Sequence, residues 1–197
     1  MPGVIVLVRH GETEWSRSGQ HTGRTDKPLT EKGRADAAKL TPHLKGRDFG
    51  LVLISPLSRA QDTARLAGLT GETDADLLEW DYGAYEGRRT ADIRADLDDP
   101  EWTIWRDPIP AGVTPGEQPD DVAARARRVI DRCLPVVAED SDVALVAHGH
   151  FLRILTATWL DLAAVDGRLF ALDAGALSAL GFEHEQHVIR NWNAQSL

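Results

Sequence analysis

The chain has 197 residues, of which 42% are hydrophobic and 27% charged, and its formal net charge is −9. That length suits one domain with a substantial core, and the composition is that of a globular protein. The acidic balance argues against a nucleic-acid partner, no apolar run approaches a bilayer span, and the single cysteine, Cys133, excludes an intramolecular disulfide or a cysteine zinc cluster.

The start, MPGVIVLVRHGE, lacks the basic region and apolar length of a secretory signal, so the expected location is cytoplasmic. Residues 4–8 form a continuous aliphatic run, as expected of a strand buried on both faces. The run stops abruptly at Arg9, His10, Gly11 and Glu12. Thr30 is a natural N-cap for a helix in which Ala37, Leu40 and Leu44 share one face, with Glu31 in its first turn. Residues 51–55 read as a second buried strand, and Pro56 suits the first turn of the helix that follows. Val122, Ala126, Val129, Ile130, Cys133 and Val137 recur at helical spacing, the clearest amphipathic pattern in the chain. Residues 143–147 repeat the opening theme, a strand that ends at His148 before a helix through Phe151 and Leu155. Residues 169–192 read as strands joined by turns, with a break at Asp173-Ala174-Gly175. Strands alternating with helices predict an α/β protein, a three-layer α/β/α arrangement around a mainly parallel sheet.

Three strands therefore end in chemistry-bearing residues: Arg9-His10-Gly11, the stretch from Ser55 to Arg59, and His148-Gly149-His150. Ligands of open α/β sheets bind beyond the carboxyl ends of the strands, where helix N-termini also point. If the three are neighbours, Arg9, His10, Arg59 and His148 converge on a site for a dianionic tetrahedral group such as phosphate.

The blocks LVRHGETEW, ISPLSRAQDTA, LLEWDYGAYEG and VAHGHFLR, in this order and joined by GRTDKPLTEKGRADA, resemble the signature blocks of the histidine phosphatase superfamily, the phosphoglycerate mutase-like fold. Within it, EWDYGAYEG, PEWTIWRDPIPAG and LFALDAGALSALGFEH are similar to the phosphatase branch of small bacterial acid phosphatases and fungal sedoheptulose-bisphosphatase. The resemblance implies one domain over 1–197 with a small cap around 80–118. It implies a metal-independent phosphomonoesterase acting on small phosphorylated metabolites, sugar phosphates among them, with no cofactor. His10 would attack phosphorus to give a phosphohistidine, while Arg9, Arg59 and His148 hold the phosphoryl oxygens. Glu79 would give the leaving oxygen its proton, an apolar wall of Leu77, Leu78 and Trp80 favouring the protonated acid; Glu12, Glu14 and Glu86 compete for that role. Ser16 stands where mutases carry Asn. Thr22 and Gly23 match a loop that offers backbone N–H groups, and Gly149 follows the second histidine. Tyr82 and His184 match substrate-side positions of the branch.

Trp102, Trp105 and Arg106 fall where a cap would sit, and Arg24, Arg88, Arg89 and Arg153 are candidates for a second phosphate pocket. The basic insert of mutases is missing, and Asp92, Asp96, Asp98, Asp99 and Glu101 would repel a doubly phosphorylated acid, so hydrolysis is expected over mutase activity. Cofactor-dependent mutase activity and a weak phospho-ligand binding module remain the alternatives. A metal site on His148 and His150 lacks accompanying carboxylates at ligand spacing. The expected partner is a small phosphate ester, with no nucleic acid or membrane, for a monomer or homodimer.

Overall fold

The computed structural model describes residues 2–194. Strand β1 (Ile5–Arg9) leads through the short helix α1 (Glu14–Ser18) to α2 (Glu31–Lys39) and α3 (Thr41–Leu44). Strand β2 (Phe49–Ile54), helix α4 (Ser58–Leu66) and the two-residue β3 (Glu72–Thr73) follow. After an irregular stretch holding α5 (Thr90–Leu97) come α6 (Pro119–Ala138), β4 (Asp142–Ala147), α7 (Gly149–Trp159), β5 (Leu177–Glu183) and β6 (Gln186–Ala194).

The six strands form one sheet in the order β3-β2-β4-β1-β5-β6. β3, β2, β4 and β1 are parallel, while β5 runs antiparallel to β1 and β6 antiparallel to β5. Alternation along β1 divides the core. Ile5 and Leu7 face α6 and α7, packing with Val129, Cys133, Leu152 and Leu155; Val6 and Val8 face Leu40, Leu44, Ala60 and Ala64 on the other side. These are the predicted three layers. Cys133 is fully buried on α6. Among the described residues, no helix is long and apolar enough to cross a membrane.

Register fixes where the chemistry sits. Ile54 pairs with Val146 and Arg9 with Ala147, so the carboxyl ends of β2, β4 and β1 lie side by side. Ser55 N–H donates to the Val146 carbonyl and His10 N–H to that of Ala147, both at 3.0 Å. The expected neighbourhood of the three strand ends is therefore present.

Three local expectations need correction. Pro56 lies outside α4, which starts at Ser58 behind an extended Leu57; the Asp26 carboxylate caps it by accepting from Ser58 N–H at 3.0 Å. The helix predicted through Leu44 breaks at Leu40, because Pro42 has no N–H to continue the ladder, yet Leu40 and Leu44 stay buried. His184 is not at the site. β5 starts beside Val8 and runs antiparallel to Ile5, so the β5–β6 turn carries His184 (φ 54°) to the opposite end of the sheet. There it borders a groove with Arg47, Phe182 and Arg190.

Candidate active site

A cavity of about 290 Å³ opens at the carboxyl ends of β1 and β4. His10 is 4% exposed at its floor. Its Nδ1–H donates to the Gly11 carbonyl at 2.7 Å, which leaves Nε2 with the lone pair. Burial, then the charges of Arg59 and Arg9, push the imidazole well below its usual value of 6.5, so the ring is neutral. Gly11 allows this turn because a Cβ there would stand 2.4 Å from the Gly33 carbonyl oxygen of α2.

Arg9 lies across the N-terminus of α7. A Cβ on Gly149 would come within 3.0 Å of its Cζ, so a larger residue there would require the Arg9 guanidinium to shift by a few tenths of an ångström. One Nη donates to the Leu172 carbonyl, while the buried Nε has no partner. Burial lowers the guanidinium pKa of Arg9 and of Arg59, with the nearby Glu79 charge opposing it in both. Two desolvated cations and an orphaned donor beside a helix N-terminus are a setting that an anion relieves.

Arg59 and His148 form a layer directly behind His10. The His10 and His148 rings meet edge-on at 5.1 Å. Arg59 Nε–H donates to His148 Nδ1 at 3.2 Å, so the His148 proton is on Nε2, which donates to Ser55 Oγ at 2.7 Å. Burial, with Arg59 next, holds His148 well below its ordinary pKa. The remaining Arg59 hydrogen bonds run to the carbonyls of Thr22, Gly23 and Thr25, clamping that loop. Neither residue lines the cavity; Arg9, His10, Ser16, Thr22, Glu79, Tyr82 and Gly149 do. Ser16 Oγ is occupied by a capping box with Thr13, and Gly23 N–H donates to the Glu86 carboxylate rather than into the cavity.

Glu79 is 5% exposed, but its wall is not apolar. Oε1 accepts from Phe151 N–H at 2.8 Å and Trp80 N–H at 2.9 Å, and Oε2 accepts from His150 N–H at 3.1 Å. The carboxylate thus caps α7, a helix whose own N-cap, His148, makes no side-chain cap bond. Its competitors point elsewhere: Glu86 accepts from Gly23 and Thr25, and Glu12 from the Thr30 hydroxyl.

The outer wall brings Tyr82, Trp105 and Arg153, which the sequence singled out, together with His150 and His21, to which it gave no part there. His150 Nδ1 accepts from the Tyr82 hydroxyl, a phenol that burial holds well above its usual pKa and therefore protonated. His150 packs edge-on to Trp105 at 5.2 Å, and the Arg153 guanidinium lies 4.8 Å above the same Trp105 ring. His21 contacts Tyr82 at 4.9 Å and Thr90 Oγ1 at 3.4 Å, and burial lowers its pKa to about 4. His150 and Arg153, three apart on one face of α7, were detectable as a pair once that helix was placed. His21 was not, because the bridge between Gln20 and Arg89 positions it.

Trp102 is core, 2% exposed against Tyr85. Of the other arginines, Arg24 pairs with Glu117, Arg88 with Asp96 and Arg89 with Asp92, and only Arg153 lines the cavity. Arg106 pairs with Asp99 and Asp107. Of the acids expected to form a repelling lid, Asp92, Asp96 and Asp99 are thus paired with arginines. Among the described residues, no group of three or more His, Cys, Asp or Glu side chains is placed to hold a metal ion. His148 turns toward Ser55 and His150 toward Tyr82.

The sequence profile of the histidine phosphatase superfamily (branch 1) matches residues 5–195. The chain belongs to that superfamily. This histidine phosphatase is 41% identical over 184 residues to an acid phosphatase of Mycobacterium tuberculosis, covering 91% of the chain and 87% of the relative. It is 30% identical over a 241-residue alignment to sedoheptulose 1,7-bisphosphatase of Saccharomyces cerevisiae, again covering 91% and 87%. The solved structure of the open reading frame Rv3214 from Mycobacterium tuberculosis superposes with a TM-score of 0.90 at 37% identity, covering 98% of this chain and 97% of the other.

Proposed function

We propose that this histidine phosphatase hydrolyses small phosphomonoesters through a phosphohistidine on His10, without a metal ion. The family and its phosphatase relatives support the general activity. The observation that carries the mechanism is the buried, neutral His10, its Nδ1–H tied to the Gly11 carbonyl, on a cavity it shares with the buried cation Arg9.

The Nε2 lone pair attacks phosphorus, and the bond from phosphorus to the alcohol oxygen breaks. That oxygen takes a proton from Glu79, whose Oε2 accepts a single N–H bond, from His150. Water then attacks the phosphohistidine and gives a proton back to Glu79, releasing phosphate and regenerating His10. Arg9 and the α7 N-terminus balance charge on the transferring group, with Arg59 adding its field from behind. The cavity's size favours small alcohols, and Arg153 over Trp105 supplies a second cation at the alcohol end. Sugar phosphates are the substrates proposed.

The test is phosphate release from small phosphomonoesters and sugar bisphosphates with EDTA present, comparing wild type with His10→Ala. EDTA-resistant turnover that His10→Ala reduces by about 10³-fold or more is the expected result. Turnover that survives in His10→Ala removes His10 as nucleophile, and EDTA-sensitive turnover removes metal independence.

A further inference from the structure

Glu79 sits on a segment with little regular structure: a 3-10 turn over Ala75–Leu77, then an irregular run through Trp80 and Asp81. Such a loop does not by itself hold a carboxyl group to a fraction of an ångström. The hold comes from α6. Arg125, 8% exposed, reaches under the loop and donates through Nη1 to the carbonyls of Asp76 at 2.6 Å and Leu78 at 2.9 Å. Its Nη2 points at the Glu79 carbonyl itself, 3.5 Å away.

A second residue completes the clamp. Glu117 accepts from Arg125 Nε at 2.7 Å and Nη2 at 2.9 Å. The same carboxylate accepts from Asp81 N–H at 2.9 Å, and the Glu117 carbonyl accepts from Trp80 Nε1 at 2.7 Å. The residues on both sides of Glu79 are therefore tied to one ion pair. The Arg125 guanidinium also lies 5.2 Å over the Phe151 ring, and Phe151 N–H is a donor to Glu79 Oε1. One planar cation thus spans both supports of the carboxyl group, its loop and its helix terminus. It does not line the cavity.

A buried ion pair is weak support for stability, because desolvation offsets its attraction. Its geometric value is different: a guanidinium offers donors in a fixed fork, which a lysine cannot reproduce. We infer that Arg125, held by Glu117, is a positioning residue that sets Glu79 at the leaving-group oxygen. The inference rests on the proposed role of Glu79 as proton donor.

Proton donation matters for an alkoxide leaving group and little for nitrophenolate, so the two substrates separate positioning from general damage. kcat/KM is measured for glycerol phosphate and for p-nitrophenyl phosphate in wild type, Glu79→Gln, Arg125→Lys and Glu117→Gln. Glu79→Gln should lose about 10²-fold or more on the alkyl ester. Arg125→Lys should lose about 10-fold on it, as expected of a displacement well under 1 Å, and change less than about 3-fold on the nitrophenyl ester. Glu117→Gln, which keeps the shape of the clamp and serves if Arg125→Lys does not fold, should show the same split.

Equal losses on both esters in folded Arg125→Lys or Glu117→Gln, or no loss on either, overturn the positioning role while leaving Glu79 as donor. A Glu79→Gln enzyme with no split overturns the donor assignment and this inference with it.

Discussion

Gly11 is the smallest residue on which the site depends. Its carbonyl fixes the tautomer of His10, and its Cα lies so close to α2 that a methyl group would strike the Gly33 carbonyl at 2.4 Å. Its N–H donates to Thr63 Oγ1 at 3.1 Å, and that hydroxyl donates to the Arg59 carbonyl at 2.7 Å, so the turn is tied to α4 as well. Neither backbone can yield without moving a core helix. Gly11→Ala should therefore lose about 1–3 kcal/mol of stability, the range expected for overpacking. It should also lose at least about 10-fold in kcat as the ring tilts away. Thermal unfolding and steady-state rates check both, and a variant unchanged in both removes the close approach as a constraint.

Helix α7 shows how far an element depends on a distant side chain. His148 occupies its N-cap with both ring nitrogens already engaged, and two of the first N–H groups of the helix, those of His150 and Phe151, are satisfied by Glu79 from another part of the chain. Glu79→Ala should cost about 1–2 kcal/mol, the range for losing a helix cap with its charge, whereas Glu79→Gln keeps an acceptor and should cost less. Chemical denaturation of the two variants tests the ordering, and equal stability would show that water replaces the cap. This cap was invisible in the sequence, since it joins positions 71 and 72 residues apart. The same division runs through the fold. The aliphatic runs ending at Arg9 and His148 and the six-position stripe of α6 were legible, because burial on both faces or on one stripe imposes a local pattern. His21, Arg125 and the fate of His184 were not. They follow from strand direction and loop pairing, which no short window contains.

Charge across the entire chain is set by what the fold buries. His10, His21, His148 and His150 are all held below their ordinary pKa, in each case chiefly by burial. The unfolded chain then binds more protons than the native one between the native values and about 6.5, so stability rises with pH in that window. The histidine contribution is intact above about 6.5 and declines as pH falls below it. For His21, the shift from 6.5 to about 4 corresponds to about 3 kcal/mol once the lower value is reached. Urea unfolding at a series of pH values should show this decline, and His21→Gln should flatten it. A curve of unchanged slope in that variant would place the proton uptake elsewhere.

The buried Cys133 thiol, raised by desolvation to about 12, carries a practical consequence. It is the sole cysteine in the sequence, and in the folded protein it should resist maleimides and iodoacetamides at neutral pH. A cysteine introduced at fully exposed Val113 would be the single reactive thiol of the native fold. A fluorophore or nitroxide attached there reports on residues 80–118 during turnover, with the natural core left untouched.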